Sequence, residues 1–88
     1  MERMEVELFT DGGNDAVVRL PGRHFPGVLI QGDTLRILQA DLAELAGLCA
    51  AGDLEQARRV ASLLQDDLGA KLRRCSEALE AHGIRRPF

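Results

Sequence analysis

The stretch VLIQGDTLRILQADLAEL, residues 28–45, changes its period in the middle. Val28, Leu29 and Ile30 form a short, mostly β-branched apolar run, the profile of a strand. Leu35, Leu38, Leu42 and Leu45 then recur at steps of 3, 4 and 3, which aligns them along one side of a helix. Between the two patterns stands Gly32-Asp33-Thr34, where Asp33 or Thr34 offers the side-chain oxygen that a helix N-cap requires. Strand gives way to helix at this point, so the chain divides into a β part and an α part.

Upstream, Met4, Val6 and Leu8 alternate with Glu5 and Glu7, the period of a half-buried strand, which predicts a first strand over about 4–10. Asp11-Gly12-Gly13-Asn14-Asp15 is a run of turn formers, and Ala16 to Leu20 follows as a second strand closing a hairpin. Pro21 and Pro26 lack the N–H donors of a central strand, so residues 21–27 form a loop before a third strand at about 28–31.

Downstream, the stripe continues to Cys49 and predicts a helix over about 34–51. Gly52 suits the left-handed position after a helix, and Asp53 with Gln56 three residues later resembles a capping box that opens the next one. Ala57, Ala61, Leu64, Leu68, Leu72, Cys75, Leu79 and His82 line one side of that second helix, about 54–82, and Gly83-Ile84 reads as a Schellman stop. The expected fold is α+β in a single domain, residues 1–88, with a three-stranded antiparallel sheet followed by an antiparallel helical hairpin.

Lengths then suggest an interface. The second helix spans roughly 43 Å at ~1.5 Å per residue, whereas a five-residue strand covers only ~17 Å. Its distal half is therefore expected to outrun the sheet, and Leu68, Leu72, Cys75 and Leu79 are the residues expected to hold a second copy, making a homodimer. Cys49 and Cys75 have no metal-type or CxxC spacing and read as two reduced core thiols too far apart for a disulfide.

Composition narrows the partners. A net charge of −3, three Phe and no Trp or Tyr argue against nucleic acid and acidic membranes, since both favour basic patches and the former also aromatic platforms. The segment MERMEVELF is acidic and alternating, unlike a secretory leader, and no apolar run approaches the ~18 residues of a membrane helix. The expected location is cytoplasmic.

Candidate sites are few. His24 could act as a base with Asp33 as its orienting acid, but a histidine between Arg23 and Phe25 in a turn is more readily explained by solvation. Arg19, Arg23 and Arg36 could converge on a carboxylate or phosphate, which guanidinium groups bind bidentately. Asp33 at the helix start fills the anion position there, and neither GxxxxGK nor GxGxxG occurs. Most basic residues of the second helix have acids at i to i+3 or i+4, such as Lys71 with Asp67 and Arg73 or Arg74 with Glu77, a pattern of a solvated face. His82 suits the negative end of the helix dipole, and no metal or cofactor is expected.

The run Phe25 to Leu45, with Pro26, Gly27, Val28, Gln31, Gly32, Asp33, Thr34 and Leu35, resembles the N-terminal domain of HicB-type antitoxins over roughly residues 4–50. That resemblance implies a three-stranded sheet with a helix on one face, a shape that holds a toxin or another protein, and no catalytic residue. The chain departs from the pattern after its first helix, where a long helix replaces the family's next strand and DNA-binding segment. The residues VVRLPGRHFPGVLIQGD also resemble small bacterial proteins to which no activity is assigned. The expected role is a non-enzymatic protein-interaction module, antitoxin-like or immunity-like, using Arg23, His24 and Phe25; the alternative is a small-ligand or anion binder using Arg19, Arg23 and Arg36.

Overall fold

Val17 and Leu79 are both fully buried, and the architecture follows from what brings them together. In the computed structural model, which describes residues 1–88, three short strands precede two helices: β1 (Glu7–Leu8), β2 (Val17–Arg19), β3 (Gly27–Val28), α1 (Gly32–Ala50) and α2 (Leu54–Ala81). The strands form an antiparallel sheet in the order β1-β2-β3, with Glu7 opposite Arg19, Leu8 opposite Val18, Val17 opposite Val28 and Val18 opposite Gly27. The α+β class and the helical hairpin are those expected from the sequence. Residues 1–30 with 71–88 make one compact unit, and residues 31–70 make another.

The strands are shorter than the 4–10, 16–20 and 28–31 anticipated, and side-chain hydrogen bonds explain part of the loss. Phe9 N–H donates to the Val17 carbonyl at 2.9 Å, but Val17 N–H turns to the Thr10 hydroxyl at 3.0 Å, which ends the ladder. Leu20-Pro21-Gly22-Arg23 closes with Arg23 N–H on the Leu20 carbonyl at 3.1 Å and Gly22 at φ +79°. Proline before a positive-φ glycine is the signature of a type II turn, so the first Pro-Gly pair has a purely structural job.

Helix α1 begins at Gly32 with Gln31 as its N-cap residue, not at Asp33 or Thr34. Asp33 instead accepts from Thr34 N–H at 2.8 Å, within the first turn. Both helices end as Schellman motifs. Gly52 N–H and Asp53 N–H reach the carbonyls of Cys49 and Leu48, and Gly83 and Ile84 repeat the arrangement on Glu80 and Leu79. Asp53 caps α2 as expected, its carboxylate accepting from Gln56 N–H at 3.2 Å.

Within residues 31–70, the half-buried positions of α1 are Thr34, Leu38, Asp41, Leu45 and Leu48, opposite Ala57, Val60, Ala61 and Leu64 of α2. The seam is thus rotated from the anticipated stripe, leaving Leu35, Leu42 and Cys49 exposed; Cys49 is not a core thiol.

In the other unit, Val17, Cys75, Ala78 and Leu79 form the core, with Phe9, Val28 and Ile84 packed against it. The expectation that Cys75 and Leu79 would await a second copy is therefore corrected: the sheet covers them within the chain. The length excess of α2 is the part on which β2 packs. Leu68 and Leu72 do remain exposed.

Two basic side chains fasten the 11–15 turn to α2. Lys71, buried to 8% exposure, places Nζ 3.0 Å from Asp15 Oδ2. Arg74 donates to the Asp15 carbonyl at 3.1 Å and to Asp11 Oδ1 at 2.9 Å. Asp15 sits at φ +59°, a left-handed conformation that a short polar side chain tolerates. Lys71 and Arg74, anticipated on a solvated face, hold a turn in place.

Two outcomes check this packing in urea unfolding followed by circular dichroism. Leu79→Ala should cost about 2–5 kcal/mol, the range for emptying a well-packed core site. Asp15→Asn keeps the left-handed tolerance but removes the charge facing Lys71, and should cost about 1–2 kcal/mol.

Candidate functional site

Successive residues of a strand point to opposite faces, so the register sorts the sheet's side chains. Val17, Val28 and the Glu7–Arg19 pair lie on the face turned toward α2. Leu8, Val18 and Gly27 lie on the other face, which no element covers. Val6, Leu20, Phe25 and Leu29 extend that second face, with exposures of 44%, 48%, 39% and 54%. The alternation of Met4, Val6 and Leu8 thus marks a face open to solvent, not the half-buried one anticipated from the pattern.

A groove of about 310 Å³ runs through this face, lined by Val18, Leu20, Arg23, Phe25, Gly27 and Leu29 among others. Gly27 is its floor. A Cβ added there would meet nothing within 4 Å, and its φ is not in the left-handed region, so the backbone imposes no need for glycine. Its effect is on the surface: without a side chain on edge strand β3 beside Val18, a neighbouring apolar chain can approach the sheet closely.

The loop residues singled out from the sequence divide in role. Phe25 and Arg23 line the groove. His24 is exposed and stacks edge-on against Phe25 with ring centroids 4.5 Å apart, while its carbonyl accepts from Arg19 Nη1 at 3.3 Å. No acidic group orients the His24 ring, and the Asp33 carboxylate is engaged with its own helix turn.

Arg19 is occupied as well. Its Nε and Nη2 each donate to a Glu7 carboxylate oxygen at 2.8 Å, a bidentate pair, and its guanidinium lies 5.4 Å from the Phe9 ring centre. The carboxylate site that such a residue could offer a ligand is already filled by the chain itself. Arg36 lies on α1, in the unit of residues 31–70, and Arg19 and Arg23 belong to the sheet unit. His82 donates from Nδ1 to the Ala78 carbonyl at 2.8 Å and stacks on Phe9 at 4.9 Å, serving the last turn of α2.

Elsewhere the surface offers little enclosure. A concavity of about 1000 Å³ is lined from Leu54 to Leu63 by a single helix and so has no facing wall. No group of three His, Cys, Asp or Glu is placed to hold a metal ion, and no helix is long and apolar enough to cross a membrane. Burial raises the Cys75 thiol above its ordinary pKa, which keeps it protonated and inert.

The hydrogen bonds from Arg19 hold the Glu7 carboxyl below its ordinary value of 4.5. A carboxyl lowered by folding adds stability above its ordinary value, and that share disappears as pH falls through the lowered one. Wild type should therefore lose more of its urea resistance than Glu7→Gln does as pH drops from 5 toward 3, the two curves converging at the acid end.

No curated protein and no solved structure matches the chain, so neither comparison supports the HicB-type resemblance. One family model matches, over residues 1–88, so its reach includes the sheet, the open groove and both helices. By that full-length match the chain belongs to a family of unknown function, DUF6959.

Proposed function

We propose that this protein is a non-enzymatic interaction module that binds an apolar segment of another protein on the open face of its sheet. One observation carries the reading: Val6, Leu8, Leu20, Phe25 and Leu29 stand in the open on one side of a sheet whose edge strand β3 bears there a glycine that the backbone does not require. Contiguous exposed apolar surface of this kind, rimmed by a charged residue such as Arg23, is the composition of a recognition site. The resemblance to HicB-type antitoxins, over residues 4–50, contains this whole face and supports an antitoxin-like or immunity-like neutraliser. Aliphatic side chains, one phenylalanine and a bare floor suit an apolar strand or helix face better than a small polar ligand.

The anion-binding reading loses ground because Arg19 is already engaged bidentately by Glu7. A catalytic role for His24 loses ground likewise, since its ring packs on Phe25 with no orienting acid.

Titration calorimetry against the product of the adjacent gene tests the reading. Wild type should bind, and Gly27→Val, which fills the floor, and Leu29→Glu, which charges the wall, should each weaken binding at least tenfold without shifting the unfolding midpoint. Equal affinity in all three proteins would remove the sheet face from consideration.

A further inference from the structure

The unit of residues 31–70 has an unusual interior. No residue of α1 is buried, and within that unit only Ala57 of α2 is. Two packed helices of this length cannot be held by one alanine. Beside the half-buried leucines of the seam, four others point elsewhere: Leu35, Leu42, Leu54 and Leu68 are 55%, 59%, 71% and 52% exposed.

Those exposed side chains are ordered. Leu35, Leu42 and Cys49 stand seven residues apart on α1, and on α2 Leu54 and Leu68 are two such steps apart, with half-buried Ala61 of the seam's edge between them. A seven-residue step returns to almost the same side of a helix, drifting by only ~20°. Counting about 100° per residue, the α1 stripe lies roughly a quarter-turn forward of the seam, and the α2 stripe somewhat less. In antiparallel helices a forward rotation from the seam leads to the same side of the pair, so both stripes form one apolar face. Ile37 and Leu63 fall on the opposite side.

The occupant is indicated by area and by charge. The chain exposes 6900 Å², whereas a monomeric protein of 9.6 kDa exposes about 5,100 Å². The hairpin face is about 27 Å long and two helices wide, a footprint on the order of 500 Å². Two such footprints facing each other bury about 1,000 Å², the threshold for a specific interface. The face carries no acid. Gln39, Ala43 and Gln65 flank it, and Arg58, one turn after Leu54, is the one charged residue on its α2 half, with a stem long enough to carry the guanidinium to the hydrated rim. Leucines separated by small residues, with a single long basic side chain reaching outward, are complementary to a copy of themselves.

We propose that two copies of this chain associate through the Leu35–Leu42–Cys49 and Leu54–Ala61–Leu68 stripes, closing two hairpins into a four-helix bundle about a two-fold axis. This differs from the interface expected from helix length alone, since Cys75 and Leu79 take no part. It is also independent of the sheet face, so failure here leaves the partner-binding reading standing.

Sedimentation equilibrium of the full chain at about 50 µM should give about 19 kDa, twice 9.6 kDa. Leu42→Glu and Leu68→Glu should each return the mass to 9.6 kDa with the helical signal retained, while Ile37→Glu on the opposite side should remain at the dimer mass. Cys49 provides a second reading in the unmodified protein: thiol labelling should slow at least tenfold as concentration rises through the dissociation constant, with Cys75 labelled only on unfolding. A wild-type mass of 9.6 kDa, a dimeric Leu42→Glu, a monomeric Ile37→Glu, or a Cys49 rate independent of concentration would each overturn the proposal.

Discussion

The contact between Val17 and the Cys75–Leu79 turn of α2 is the constraint on which the sheet depends. Three strands of two or three residues cannot stand alone, because too few ladder hydrogen bonds oppose the entropy of ordering them. The helix supplies the missing half of their core. Burying Leu79 and Val17 contributes about 1.5–3 kcal/mol each, a large share of the ~5–15 kcal/mol that typically separates folded from unfolded. The same stretch of helix supplies Lys71 and Arg74, whose bonds to Asp15 and Asp11 keep the hairpin turn in its left-handed conformation. Apolar and polar groups one to two turns apart thus hold the start of β2 and the turn that leads into it.

This explains which parts of the fold were legible in the sequence. Turns and caps are local, so Gly52, Asp53, Gly83 and the Pro21-Gly22 pair announced their conformations through chemistry that no distant contact could override. The class and the order of elements followed from a change of period at residues 31–34. Burial was less legible, because it depends on which element arrives from far along the chain. Alternation at Met4, Val6 and Leu8 specified a strand with one apolar side, but not whether that side faced a core. Both sides of β1 stay accessible: Leu8 is on the open face, and Glu7 remains exposed while it pairs with the better-covered Arg19, whose guanidinium lies over Phe9. Residue type alone would have put the leucine inside.

A similar limit applied to the helices. The stripe from Leu35 to Cys49 is apolar over about 100° of arc, wider than one antiparallel neighbour needs. Sequence spacing identified that arc without saying which edge of it the neighbour would take. In the fold, Leu38 and Leu45 go to the seam and Leu35, Leu42 and Cys49 stay outside. Gly27 had the opposite problem. It falls in the expected 21–27 loop, yet it belongs to β3 with an ordinary backbone, and its significance appears only once the register places it beside Val18 on an open face.

The two open faces differ in a way that bears on what each could recognise. The hairpin face is periodic and built of leucine with alanine and one cysteine, with Arg58 long enough to reach its rim, so a copy of itself offers the matching ridges and hollows. The sheet face is irregular, with a phenylalanine, a bare glycine and an arginine at the rim, and a two-fold copy would set like charges near one another. Self-association on the first and a different partner on the second is the assignment that wastes least apolar contact. It also makes stability depend on association: surface buried only in the dimer stabilises the fold by mass action, so the chain is least stable when dilute. A protein whose own core contains two fully buried large side chains gains more from that linkage than one with a complete interior.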